Sequence, residues 1–266
     1  LRCTQMIKFC NLYSGSSGNC TFISSESTNI LVDAGTSCQK IVKALNNLEK
    51  SIEDIDGIII SHEHIDHTKG LTTICKKYGI SVYATSKTWK AMDSLNIGEE
   101  CKDFFVANEN FSIGDLKIHP FSIPHDAVDP CGFSIYCESK KITIATDIGH
   151  MTDDILHQME KSDVLLLESN YDTETLKCSP YPFFLKKRIE GEYGHLSNDM
   201  ASKAICHLCK SGVSNIILGH LSKENNFPEL AYQTVINELS LSNIDKSSFN
   251  LSVAGRDTVD KVLELV

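Results

Sequence analysis

No apolar stretch among the 266 residues approaches the roughly 18 needed for a membrane span. The opening, Leu1 to Asn11, also lacks the charged-then-apolar order of a secretory signal, so a cytoplasmic protein with no membrane partner is expected. Met6 is a candidate natural start, with Leu1 to Gln5 as an upstream remnant. A disulfide framework is missing too. The eleven cysteines are odd in number and scattered, which suits a reducing compartment where thiols pack as small hydrophobes. Cys206 and Cys209 form a C-x-x-C pair with no second pair elsewhere; a structural zinc needs four ligands, so core packing is their expected role. Cationic excess is absent as well: the net charge of −10 excludes loose, surface-wide attraction to nucleic acid, whose affinity rests on Lys and Arg contacts to phosphate, though a local basic groove remains compatible. There is no internal repeat and no low-complexity tract. With 41% hydrophobic and 23% charged residues, a single globular domain over 1–266 is expected.

What the chain does have is a series of short β-rich runs, each leading to a carboxylate or a histidine. Run 29–32 leads to Asp33, 57–61 to His62, 121–124 to His125, 142–146 to Asp147, 164–167 to Glu168 and 215–219 to His220. Near-continuous apolar character at 58–60, 165–167 and 216–218 marks strands buried on both faces. Helical periodicity predicts helices over 39–48, 69–78, 86–95, 153–161, 198–211, 228–239 and 258–265. Of these, 198–211 is the clearest, with Met200, Ala201, Ala204, Ile205, Leu208 and Cys209 on one stripe, Ser197 as N-cap and Gly212 just past the end. This alternation predicts an α/β protein: two mixed sheets face to face with helices outside, a four-layer αββα sandwich. Only 172–196 shows no clear element, and loops of that length are usually functional or disordered.

Four candidate metal ligands fall in one hexapeptide, His62-Glu63-His64-Ile65-Asp66-His67. His62 and His64 stand two apart at a strand end, so both imidazoles project to one side and can share an ion, with His125 as a third nitrogen. Asp66 and His67 can serve a second ion together with His220, and Asp147 can bridge both. Imidazoles with carboxylates suit Zn²⁺, Mn²⁺ or Fe²⁺; two divalent ions, Zn²⁺ or Mn²⁺, are the expected cofactor. Such a pair lowers the pKa of bound water toward about 7, which points to hydrolysis. The motif is not a helical H-E-x-x-H protease signature, because position 66 is Asp. Asp33 is expected to fix a ligand imidazole from behind.

The order His62-x-His64-x-Asp66-His67, then His125, Asp147 and His220, resembles the metallo-β-lactamase superfamily over essentially the whole chain, which implies the αββα sandwich and these ligand roles. Ser14 to Asn19, His125-Asp126-Ala127 with Pro130 and Gly132-Phe133, Glu168-Ser169-Asn170 and Gly194-His195-Leu196-Ser197-Asn198 resemble the bacterial YycJ (WalJ) group of nucleases, for which 5′-to-3′ exonuclease action on DNA is proposed. The group often has His where this chain has Tyr171. Gly194 to Ser197 is also similar to the histidine motif of tRNase Z. That resemblance implies that His195 is the acid for the leaving oxygen, with Asp66 as its partner and Glu168 orienting it. The β-CASP domain of RNase J and the exosite arm of tRNase Z have no counterpart here.

These features make a metal-dependent phosphodiesterase the leading expectation, with a nucleic acid as substrate and DNA ranked before RNA. The stretch before His195 offers aromatic surface at Tyr181, Phe183 and Phe184 and cations at Lys186, Lys187 and Arg188, as unstacked bases and phosphates require; the alternative is a solvated basic turn over a small aromatic cluster. The loop 14–19 reads as a hairpin turn, since it lacks the Lys of a phosphate-binding loop. Competing expectations are hydrolysis of a small thioester, lactone or cyclic phosphodiester, and a metal-binding redox or sensor protein. No oligomeric state is specified.

Overall fold

A computed structural model describes residues 6–245, 247 and 249–266. Its strands are β1 (Ile7–Tyr13), β2 (Cys20–Ser24), β3 (Asn29–Val32), β4 (Gly57–Ile59), β5 (Val82–Ala84), β6 (Lys102–Phe104), β7 (Phe111–Ile113), β8 (Leu116–Ser122), β9 (Cys131–Cys137), β10 (Lys140–Ala145), β11 (Val164–Glu168), β12 (Asn215–Gly219), β13 (Asn250–Val253) and β14 (Leu263–Leu265). They form two seven-stranded mixed sheets, ordered β14-β1-β2-β3-β4-β5-β6 and β13-β12-β11-β10-β9-β8-β7. The chain divides into two compact units: one of residues up to Ser122, 127–140 and 255–266, the other of 123–126 and 141–254.

In the first unit, β1, β2 and β3 pair antiparallel, and β3, β4, β5 and β6 pair parallel. The parallel strands have helices before or after them. Helix Cys38–Asn47 buries Ile41, Ala44 and Leu45, one stripe at helical spacing, and Ser37 caps it by accepting from the Lys40 N–H at 3.4 Å. Leu71 and Ile74 of helix Leu71–Tyr78 join the same core as Leu12, Leu31, Ile58 and Val82, each such buried side chain contributing about 1.5–3 kcal/mol. Because β3 and β4 run the same way, their C-terminal ends reach one sheet edge, where the Asp33 N–H donates to Ile59 O at 2.8 Å.

The second unit is built on parallel β10, β11, β12 and β13. Leu165, Leu167, Ile216 and Leu218 are fully buried, as strands covered on both faces require. Helix Asn198–Leu208 starts where its sequence predicts: Ser197 Oγ accepts from the Met200 N–H at 3.2 Å, and after a short 3₁₀ turn the left-handed Gly212 (φ 89°) ends the segment. The parallel register again brings strand ends to one edge, with Ala145 beside Leu167 and Glu168 beside Gly219, so Asp147, Glu168 and His220 follow neighbouring strands.

Two expectations fail. The segment predicted as helix 258–265 is instead extended and ends in β14, antiparallel to β1 with Ile7 opposite Leu265 and Phe9 opposite Leu263. Asp260 turns inward, accepting from the Asn11 amide at 3.1 Å and the Gly255 N–H at 3.0 Å, and Glu264 pairs with Lys8 across the strands at 2.6 Å; these non-local partners outweigh the local periodicity. The stretch 172–196, expected to lack elements, holds two short helices, Thr173–Cys178 and Phe183–Ile189. Among the described residues no cysteine forms a disulfide, and no helix is long and apolar enough to cross a membrane.

Candidate metal centre

The first unit gathers Asp33, His62, His64, Asp66 and His67. Asp33 follows β3 in the left-handed region (φ 63°), a conformation that few side chains other than Asn and Asp adopt readily. His64 caps the short helix Ile65–Thr68, which carries Asp66 and His67. His62 and His67 are fully buried, with ring centroids 4.1 Å apart. His67 Nδ1 lies 2.7 Å from Asp33 Oδ2, so it carries the proton and its Nε2 keeps the lone pair, the standard way a carboxylate prepares a ligand imidazole. Ser61 Oγ ties the group together, 2.9 Å from Asp33 Oδ2, 3.0 Å from His62 Nδ1 and 3.1 Å from His67 Nδ1. His62 Nε2 and His64 Nδ1 face each other at 3.0 Å. That is close to the roughly 3.3–3.4 Å between two nitrogens each about 2.0–2.1 Å from one tetrahedral Zn²⁺, so the donor set fits a cation.

Loop 14–19 packs against this turn. Asn19 donates from its backbone to Asp66 O at 2.8 Å, and its side-chain amide lies 3.1 Å from His67 Nε2. Gly35 lies between them: a Cβ there would stand 1.6 Å from Asp66 O and 2.6 Å from Asn19 N. Only glycine lets the two backbones approach so closely.

The second unit gathers His125, Asp147, Glu168, His195 and His220. Asp147 and His220 are both left-handed (φ 61° and 54°), a region in which Asp and His are enriched among residues other than glycine. Glu168 is fully buried and joins the set: Oε1 accepts from His195 Nδ1 and from His220 Nδ1, each at 2.8 Å, while Oε2 accepts from the N–H of Ile148 at 2.8 Å and of Leu196 at 3.1 Å. With Nδ1 committed in both rings, Nε2 is the nitrogen each would give to a metal ion or a substrate. His125 donates from Nδ1 to Gly194 O at 3.1 Å, which again leaves that role to Nε2. Asp147 Oδ1 is 3.4 Å from His220 Nδ1 and 3.8 Å from His125 Nε2. Donor atoms of Asp147, Glu168, His195 and His220 all lie within 4.8 Å of one another, so this half too has the chemistry to hold a divalent cation.

Electrostatics sort these groups. Burial is the main influence on His125 and holds its imidazole below the ordinary value despite the Asp147 carboxylate, keeping it neutral as a ligand must be. Burial also disfavours charge on His195, but the carboxylate of Glu168 and its hydrogen bond outweigh that and raise the ring above its ordinary value. Desolvation pushes Glu168 toward neutrality, and the charge and hydrogen bond of His195, with those of His220, overcome it and hold the carboxyl below its usual range. Tyr171 is buried, which raises its hydroxyl to about 12 and keeps it protonated.

The basic residues lie on helix Phe183–Ile189. Arg188 Nε is 2.5 Å from Asp126 Oδ2, Lys186 Nζ donates to Lys177 O at 2.6 Å, and Lys187 sits 5.7 Å over the Phe183 ring. The sequence assigns no role to Ser61, nor to Asn19 and Asn170, which it marks only as parts of motifs resembling the YycJ group; Asn170 donates to His220 O at 2.8 Å.

Residues 28–220 match the family model of the beta-lactamase superfamily domain. The chain is 35% identical over 263 residues to exodeoxyribonuclease WalJ of Streptococcus pneumoniae, covering 97% of this chain and 98% of that one. It is 35% identical over 231 residues to exodeoxyribonuclease YycJ of Bacillus anthracis, covering 86% and 88%. Among solved structures, the metallo-beta-lactamase fold protein YhfI of Bacillus subtilis superposes with a TM-score of 0.72 at 16% identity, covering 98% of this chain and all of that one; this bears out the expected fold. The chain belongs to the metallo-β-lactamase superfamily and, within it, to the family of the WalJ and YycJ proteins.

Proposed function

We propose that this protein is a metal-dependent exonuclease that removes nucleotides from the 5′ end of DNA. The observation that carries the reading is Glu168, whose single buried carboxylate oxygen receives both His195 and His220. One carboxylate thereby orients a metal ligand and, by the same contact, favours the protonated form of a second histidine. A cationic imidazole suits protonation of an alkoxide leaving group, a step worth about 10²–10⁴ in rate. Thioester and lactone hydrolysis have less need of an acid there. The relatives named as exodeoxyribonucleases support the same substrate class.

Following the motif and the family, His62, His64 and His125 would hold one ion, Asp66, His67 and His220 would hold the other, and Asp147 would serve both. Two divalent ions, Zn²⁺ or Mn²⁺, supply activation of water near neutral pH and neutralise phosphate charge when bound. Around them, Asp33 and Ser61 fix the His67 and His62 rings, Gly194 O fixes His125, and Glu168 accepts from His195 Nδ1, so the proton for the leaving oxygen is the one on Nε2; Asp66 keeps the second role, as partner of His195, that the family resemblance gives it. The test is incubation with Mn²⁺ or Zn²⁺ and end-labelled single- and double-stranded DNA and RNA, alongside bis(p-nitrophenyl) phosphate and a thioester. Stepwise loss of mononucleotides from the DNA 5′ end is expected. Thioester turnover with every phosphodiester intact would overturn the reading.

A further inference from the structure

Helix Phe183–Ile189 contributes nothing to the core: none of its residues is buried, and Phe183 and Phe184 are each 74% exposed. Two adjacent bare phenylalanines are costly to display, since burying each would gain about 1.5–3 kcal/mol, so their exposure calls for an occupant. The surroundings indicate its chemistry. From Lys177 to Ile189 the chain carries Lys177, Lys186, Lys187 and Arg188 with Tyr181, Phe183 and Phe184 and not one carboxylate, in a protein of net charge −10. Aromatic faces interleaved with cations are what an unpaired nucleic-acid strand uses, bases stacking on rings while ammonium groups meet phosphates.

The helix is also fastened to the candidate acid. The His195 N–H donates to Ile189 O at 3.0 Å, and the Gly194 N–H to Gly191 O at 2.9 Å. Arg188 grips Asp126, whose own N–H donates to Tyr193 O at 3.0 Å, and Gly194 O holds the His125 ring. A strand lying on the phenylalanines would therefore be held at a fixed offset from His195 and His125. Arg188, engaged with Asp126, acts as a positioning residue, and the Lys187 ammonium, near Glu190 at 3.5 Å, and that of Lys186 are the ones placed for phosphates.

We infer that Phe183 and Phe184 form a stacking platform for the unpaired end of a DNA strand whose backbone is met by Lys186 and Lys187. The inference rests on the phosphodiesterase reading above. The experiment compares wild type, F183A/F184A and the stacking-competent F183W/F184W on two substrates, a 5′-labelled single-stranded DNA and bis(p-nitrophenyl) phosphate, which is too small to span the platform. Loss of base stacking raises KM and the Kd for the DNA roughly 5- to 100-fold per ring, with the small phosphodiester cleaved at the wild-type rate and the tryptophan variant restored on DNA. Equal DNA binding and KM in wild type and F183A/F184A, with both substrates still cleaved, would overturn the platform alone. Failure of wild type to cleave either substrate would overturn the parent reading and the platform with it. Phe-dependent binding to vesicles of anionic phospholipid, with DNA affinity unchanged, would also overturn it and assign the surface to a lipid.

Discussion

Replacing Glu168 by Gln changes one atom of a fully buried side chain and removes an acceptor that four donors share. Oε1 serves the Nδ1 groups of His195 and His220, and Oε2 serves the N–H groups of Ile148 and Leu196. An amide offers one accepting oxygen, so whichever way it turns, its NH₂ faces two donors that lose their partner. Each buried polar group so stranded costs about 1–3 kcal/mol, giving roughly 2–6 kcal/mol for the pair. At about 2–4 °C per kcal/mol for a chain of this size, the melting temperature of the metal-stripped protein falls by about 4–24 °C. Loss of the carboxylate behind His220 weakens zinc about 10- to 100-fold, read by competition with a chromogenic chelator. The sign with pH is set by the depressed carboxyl: a folded-state pKa below the unfolded value of about 4.3 contributes stability that is present above that value and lost as pH falls through the folded one. The melting curves of wild type and E168Q should therefore converge in acid. Equal melting temperatures at pH 7, together with unchanged zinc affinity, would show that the Glu168 carboxylate does not serve these four donors.

Asp33→Ala removes the acceptor of His67 Nδ1 and of Ser61; metal affinity of the histidine turn should drop about 10- to 100-fold, measured by calorimetric zinc titration. His195→Ala should lower phosphodiesterase kcat at least about 10²-fold with metal content unchanged by mass spectrometry, and an unchanged rate would remove His195 from the chemistry. Gly35→Ala forces a methyl against Asp66 O and Asn19 N, both backbone; since neither can swing aside, the cost reaches about 3 kcal/mol or more, seen as a lower midpoint in urea.

The residues of the candidate metal centre are legible because their chemistry is local: a hexapeptide of histidines and Asp66, and strand runs of Ile and Leu that stop at Asp147, Glu168 and His220. The strand edges carry them there because parallel register aligns strand ends. What escaped was set by distant partners. Sequence periodicity made 258–265 helical, yet pairing of Leu263 and Leu265 with β1, and the inward turn of Asp260 to Asn11, decided otherwise. Ser61 looked like the last residue of a strand, and only the folded approach of Asp33 turns its hydroxyl into the link between two imidazoles. The double duty of Glu168 was half visible: its placement toward His195 came with the family resemblance, while its hold on His220 required the neighbouring ends of β11 and β12.

We propose that His62, His64, Asp66, His67, His125, Asp147 and His220 hold two divalent ions on which DNA cleavage depends. The most direct test is metal analysis of purified protein dialysed against Zn²⁺ or Mn²⁺, with DNA cleavage followed before and after chelation. Two ions per chain, loss of cleavage on chelation and its return on adding metal are predicted; cleavage that persists after every ion has been removed, or a chain that binds none, would rule out a metal-dependent nuclease.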